Sequence, residues 1–346
     1  MNEKMKTMKN VLIPVLAASL LSVGCDDWTE SENMDFRRPT PEEQNPVAYQ
    51  AYLASIRDYK RQEHKVMMMT VPGGSERPDL QNRHLKMMPD SVDVICMTDY
   101  LNLHPAIAEE IAQTYDTKGT QTVCVVDYAL IQSAWDTLEE QKAEAGEPAG
   151  TAEDFEAYCR EQAESQLACC DRYGFHGIEI SYLGRKATEI EKAGQTGFFE
   201  SIDAWRASHA DKTMIIRGYI QNLIDNSILE DCDYIIILAG NVTAPSELTR
   251  VITRKMGDGV PNDRFILEVT VPTTEDPTQV GATPQAAAEW AITPEGEGVA
   301  EFTKAGLAVG NAQYDYFNTE RIYNSIRQAM SIMNPANIGN DHEKIE

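Results

Sequence analysis

The side chains whose types and positions suggest chemistry in this sequence are carboxylates and aromatic rings. Acid/base work needs two carboxyl groups held on opposite sides of a reacting bond. Glu268 lies inside the apolar run Phe265-Ile266-Leu267-Glu268-Val269-Thr270-Val271, and with Asp127 or Asp315 it would make such a pair. A buried polar layer would explain Glu268 more simply. Asp99 and Tyr100, Asp127 and Tyr128, Tyr219, Asn241, and Tyr314, Asp315 and Tyr316 close apolar runs, while Trp135 and Trp290 fall in later loop or helix-start regions. Rings beside Asp and Asn acceptors suit a sugar, whose C–H faces stack and whose hydroxyls hydrogen-bond. Tyrosines at strand ends also simply close a core, so the same residues carry a packing reading. His64, His84, His104, His176, His209 and His342 are scattered without ligand spacing, and no CxxC pair is present, so no zinc site is indicated. Pro72-Gly73-Gly74-Ser75 lacks the spacing of a phosphate loop and leads into Arg77-Pro78-Asp79, so it reads as a plain turn. Neither a metal nor a cofactor is expected.

The elements that must hold these residues recur regularly. Strand candidates fall at Lys65–Val71, Val92–Met97, Thr120–Asp127, Gly174–Tyr182, Lys212–Tyr219, Cys232–Ala239, Arg264–Val271 and Gly306–Tyr314. Helical spacing marks Val47–Gln62, His104–Tyr115, Ala152–Arg172, Phe198–His209, Ile220–Leu229, Pro245–Lys255, Gln285–Trp290 and Thr319–Met333. Short, nearly continuous apolar strands between amphipathic helices mean a parallel sheet covered on both faces. Eight such units predict an α/β fold, a single-domain (β/α)8 TIM barrel over residues 46–335, with its site at the C-terminal strand ends. A doubly wound open sheet is the alternative. The acidic stretch Asp136–Glu153 and the segment Pro272–Thr283 read as loops rimming that face.

The 346 residues carry 30 Lys and Arg against 55 Asp and Glu, a formal charge of −25. That balance argues against nucleic acid as a partner and against charge-driven docking on an anionic membrane. Lys4, Lys6 and Lys9 precede an apolar run from Val11 to Leu21 and then Ser22-Val23-Gly24-Cys25. This pattern reads as a signal peptide over residues 1–24, too short to span a bilayer. The placement of Cys25 resembles the lipobox of bacterial lipoproteins, with Ser22 where that family prefers Leu. The resemblance implies a lipidated Cys25, and Asp26-Asp27 after it resembles an outer-membrane sorting signal with exposure at the cell surface. Residues 25–45 then form a polar tether and 336–346 a polar tail. The other cysteines, Cys96, Cys124, Cys159, Cys169, Cys170 and Cys232, lack the density of a disulfide scaffold and read as mostly reduced and buried.

The fourth strand segment, Tyr173-Gly174-Phe175-His176-Gly177-Ile178-Glu179-Ile180-Ser181-Tyr182-Leu183, resembles the DGxDxDxE strand of glycoside hydrolase family 18, the chitinases and endo-β-N-acetylglucosaminidases. The Arg77-Pro78-Asp79 loop, Leu85–Asp93 and Tyr314-Asp315-Tyr316 fit that family's bacterial lipoprotein branch, and the likeness covers roughly residues 47–335. The fold is implied, but the chemistry departs. His176 stands for the first Asp, Gly177 is kept, Glu179 stands for the second Asp, Ser181 for the third and Leu183 for the terminal Glu. In the family that Glu protonates the leaving oxygen while the sugar's N-acetyl carbonyl attacks, steadied by the Asp two residues earlier. Leucine donates no proton and serine carries no charge, and general acid catalysis alone contributes about 10²–10⁴-fold. The family's strand-six Tyr also has no counterpart, since Tyr234 falls at the strand's start.

Gly177, Glu179, Ser181 and Leu183 share one face of the strand. Glu179 therefore lies about 13 Å below Leu183, in the barrel interior, where Arg217 of the neighbouring strand is its expected partner. Three functional readings follow. The first is an outer-membrane-anchored, catalytically inactive family 18-like protein that binds N-acetylglucosamine-containing or N-glycan-type glycans for a glycan-uptake system, alongside other proteins of that system. The second is an endo-glycosidase using Glu268 with Asp127 or Asp315. The third is a non-binding scaffold for outer-membrane complexes.

Overall fold

The computed structural model of the chain describes residues 40–335. The expected signal peptide, Cys25, the expected tether up to residue 39 and the expected tail from 336 lie outside the described residues. The chain divides between residues 46 and 47 into two units. Of the first, the description includes one helical turn, α1 (Pro41–Gln44), capped by reciprocal bonds between Thr40 and Glu43.

The second unit takes in all but the first residue of α2 (Pro46–Lys60), then β1 (Val66–Pro72), β2 (Val94–Thr98), α3 (Pro105–Lys118), β3 (Gln121–Asp127), α4 (Tyr128–Ala145), α5 (Ala152–Tyr173) and β4 (Gly177–Tyr182). It continues through α6 (Glu189–Ser208), β5 (Thr213–Gly218), α7 (Ile228–Asp231), β6 (Tyr234–Leu238), α8 (Pro245–Thr253), β7 (Phe265–Thr270), α9 (Pro284–Ile292), β8 (Lys304–Gly310) and α10 (Asn324–Met333). All eight strands are parallel, each pairs with the next, and β8 returns to β1, closing a (β/α)8 barrel. No described helix is long and apolar enough to cross a membrane.

The sequence explains why these elements start and stop where they do. Asp127 caps α4 by accepting from the N–H groups of Ala129 and Leu130, and Gly146 ends that helix at φ 73. Thr151 with Asp154 and Thr188 with Glu191 form capping boxes at the starts of α5 and α6. The strands alternate between two cores. Val66, Met68, Val94, Val125, Ile215 and Ile236 are among those filling the lower barrel, while residues of opposite parity join a larger layer under the helices. Towards the C-terminal ends the interior turns polar: Glu179 is in register with Val125 and Ile215 within that fill, Glu268 is level with Ala308, and Ser181 and Arg217 stand two residues further up β4 and β5.

Three local expectations are corrected. Asp136–Ala145 is not loop but the second half of α4, whose buried stripe, Ile131 and Trp135, precedes the acidic run. Ile220–Leu229 is not one helix. It is a 3-10 turn at Ile220–Asn222 and the short α7, because Asn222 bonds sideways to Gly184 O and Gln195 Nε2. β8 ends at Gly310, where Asn311 at φ 57 turns the chain into a 3-10 helix, Ala312–Phe317, so Tyr314, Asp315 and Tyr316 lie past the strand.

Candidate functional site

The C-terminal strand ends gather the groups that could act on a ligand. Register sets Asp127 of β3 beside Ser181 of β4, and Ser181 beside Arg217 of β5. Arg217 reaches past β6 to β7, where its Nε and Nη2 donate to the two carboxylate oxygens of Glu268 at 2.5 and 2.6 Å. Its Nη1 lies 3.4 Å from Ser181 Oγ. Burial opposes the guanidinium's charge, but the bonds to Glu268 and the nearby Glu179 carboxyl hold it firmly protonated. Two separated hydrogen bonds in one plane fix the fork against rotation.

Glu179 lies below, 1% exposed. Arg217 does face it, as the shared parity predicts, but Nε stands 3.9 Å away and Glu268 is the bonded partner. Both Glu179 oxygens are buried without a hydrogen-bond partner. Burial pushes its carboxyl up to about 7; Arg217 and the Cys96 thiol pull it down, while Glu268 and Asp127 add to the rise. Two carboxyls thus compete for one guanidinium, and Glu268 wins it.

Several expected ring contacts are overturned by burial. Tyr100 turns outward because Asp99 takes φ 50 and breaks the strand parity; its hydroxyl donates to Val125 O and its ring meets Phe175 edge-on. Tyr128, the residue after inward Asp127, packs between Tyr182 and Phe198. Trp135 is held by Phe155 and Tyr158, and Trp290 donates to Thr249 Oγ1 beneath Lys304. These four rings are core and offer no free face to a sugar. Asp315 is also buried, accepting from the N–H groups of Ser325 and Ile326 at the start of α10.

What remains open is smaller. Tyr219, just past β5, is 41% exposed, and Asp99 and Asn241 are exposed at the ends of β2 and β6. Tyr314 and Tyr316 are half-buried, with Tyr316 donating to Gln81 Oε1. Leu183 is half-buried just past the end of β4. His176 lies at the opposite, N-terminal end of β4, against the Tyr115 ring.

The sequence reading missed three features. A cavity of about 320 Å³ opens beside the ends of β1 and β2, lined by Gly73, Gly74, Glu76, Arg83 and Asp99 among others, near the lower size limit for a small-molecule site. Phe317 is 57% exposed past β8. The Arg217–Glu268 pair had a legible signal, since a lone Arg inside an apolar strand demands a buried carboxylate and two strand-interior glutamates were available. Among the described residues no cluster of three or more His, Cys, Asp or Glu is placed to hold a metal ion. The six described cysteines are buried and unpaired.

A closed parallel barrel with polar groups at its C-terminal mouth and an unreactive side chain at the tip of β4 defines a (β/α)8 protein built like a glycosidase. The sequence model of glycoside hydrolase family 18, BT1044-like, matches residues 29–332, and the chain belongs to that family. Among solved structures, a Glu-to-Gln variant of BT1044 is 17% identical, with 85% of this chain and 95% of that one covered at a TM-score of 0.60. A mutant endo-β-N-acetylglucosaminidase from Cordyceps militaris, solved with fucosyl-N-acetylglucosamine-Asn, is 17% identical over 82% of this chain and 96% of its own, TM-score 0.56. A family 18 chitinase from Pseudoalteromonas aurantia is 11% identical over 75% and 99%, TM-score 0.50. At these identities the structures establish the fold. No curated protein sequence matches the chain.

Proposed function

We propose that this protein is a glycan-binding, catalytically inactive member of family 18, tethered to the outer membrane through a lipidated Cys25 and serving a glycan-uptake system with partner proteins. The observation that carries the reading is the fate of the mouth's carboxyls. The family's proton donor position is Leu183 and its supporting Asp is Ser181. Glu268, the best placed substitute, has both oxygens in the bidentate pair with Arg217. Asp315 is buried with both oxygens engaged at the start of α10, and Asp127 has Oδ1 committed to capping α4, which leaves no unengaged pair of carboxyls at the mouth. Exposed Tyr219 and Asn241 past β5 and β6, and Asp99 with the cavity it lines past β2, offer ring and polar contacts of the kind a sugar needs.

Titration calorimetry of the purified chain with an N-glycan and with a chito-oligosaccharide tests this. The expected result is saturable heat for one of them, with the glycan recovered intact by mass spectrometry. Sustained heat with shortened products would replace the reading with an active endo-glycosidase. Absence of heat with both would favour a scaffold.

A further inference from the structure

At the floor of the mouth the family's pattern of carboxyls has been replaced by one fixed cation. Arg217 stands in register with Ser181, on the strand face that carries the degenerate motif, and its side chain is 23% exposed. Nε and Nη2 are consumed by Glu268, whose side chain is 5% exposed. Nη1 carries two further N–H groups, and its one protein contact is the long 3.4 Å approach to Ser181 Oγ. At least one rigidly aimed donor therefore remains for a ligand oxygen. Half-buried Leu183, one residue past the end of β4, is apolar where the family's motif carries an acid.

Charge decides which oxygen. Glu268 offsets Arg217, the buried Glu179 carboxyl lies 3.9 Å from the same guanidinium, and Asp127 stands on the adjacent strand. The surroundings of this donor are neutral to negative, within a chain of formal charge −25. A carboxylate or sulfate brought here would gain one hydrogen bond and meet two or three like charges in a partly desolvated site. A hydroxyl or amide carbonyl gains a weaker bond from the same donor but meets none of that repulsion.

Resting on the glycan-binding reading above, we propose that Arg217, held by Glu268 as its positioning residue, is the donor that reads the ligand at the barrel floor, and that it selects an uncharged sugar oxygen over a carboxylate or sulfate.

The test takes whichever of the N-glycan and the chito-oligosaccharide binds, together with its O-sulfated form, and measures both by calorimetry on the full chain. Wild type should bind the neutral form at least about tenfold more tightly, the scale expected of like-charge repulsion in a partly desolvated site. Arg217→Met alone strands two buried carboxyls and invites misfolding, so the informative variant is Arg217→Met with Glu268→Leu, which removes both charges together. With a normal melting curve it should lose about tenfold in affinity for the neutral glycan. Glu268→Gln, which removes the carboxylate bonded to the cation, should narrow the neutral-to-sulfated preference, a change that a purely structural role would not produce. Unchanged affinity in the folded double variant, or equal binding of the sulfated form by wild type, overturns the proposal while the glycan-binding reading stands. If wild type binds neither neutral glycan, both fall.

Discussion

Glu179 couples this barrel's stability to pH in a direction opposite to most carboxylates. Its pKa rises from an ordinary 4.5 to about 7, and burial is the largest cause. A carboxyl with a raised folded pKa contributes stability that is fully present below the unfolded value and is lost as pH climbs through the folded one. The loss should therefore fall between about pH 4.5 and 7 and amount to roughly 3 kcal/mol at 1.4 kcal/mol per unit. Glu179→Gln, which keeps the shape and never ionises, should flatten that slope and melt higher than wild type at pH 8. Urea unfolding of both proteins at pH 5 and pH 8 measures it, and parallel slopes would show that Glu179 is not the source. The sequence made part of this site legible. Strand parity put Glu179, Ser181 and Leu183 on one face, and residue type alone showed the missing acid. It did not show that Arg217 bonds to Glu268 across β6 rather than to Glu179 beside it, because a contact across a barrel depends on side-chain reach and not on register. Nor did it show Tyr100 turning away, which follows from one positive φ at Asp99.

Among the helices, the α5–α6 pair is the part of the shell most dependent on missing side chains. A Cβ at Gly197 would stand 2.1 Å from the Glu156 carbonyl oxygen, and one at Gly194 would stand 2.3 Å from the Phe155 ring. Ser201 Oγ, one turn on, donates to the Arg160 carbonyl of α5. Helix propensity favours Ala over Gly by about 1 kcal/mol, which would make Gly197→Ala stabilising on an exposed helix. Here the clash is with backbone, no rotamer relieves it, and overpacking costs about 1–3 kcal/mol. The net expectation is a loss of up to about 2 kcal/mol, read as a lower urea midpoint with an unchanged m-value. The strands were the most readable elements because burial on both faces leaves continuous apolar runs with little alternative. Helices were less so. The later turns of α4 present an acidic outer face that imitates a loop, and Ile220, Leu223, Ile228 and Leu229 keep helical spacing although they are buried by a looping chain.

On the scale of the whole molecule, charge and function pull apart in a measurable way. A formal charge of −25 on 346 residues makes self-repulsion a standing cost of the compact state. Added salt shortens the screening length from about 30 Å at 0.01 M to about 10 Å at 0.1 M, so the melting temperature should rise over that interval and then level off. An uncharged glycan exchanges no counterions at the mouth, and its affinity should stay within about twofold over the same interval. The two readouts together separate the field of the molecule from the chemistry of the site. Differential scanning calorimetry and ligand titration in matched NaCl series supply them. An affinity that climbs steeply with salt would mean that the bound sugar is itself anionic and is being shielded from Glu268, Glu179 and Asp127. A flat affinity beside a rising melting temperature would place the −25 charge in solubility and surface display, and leave recognition to the Arg217 donor and the rings at the strand ends.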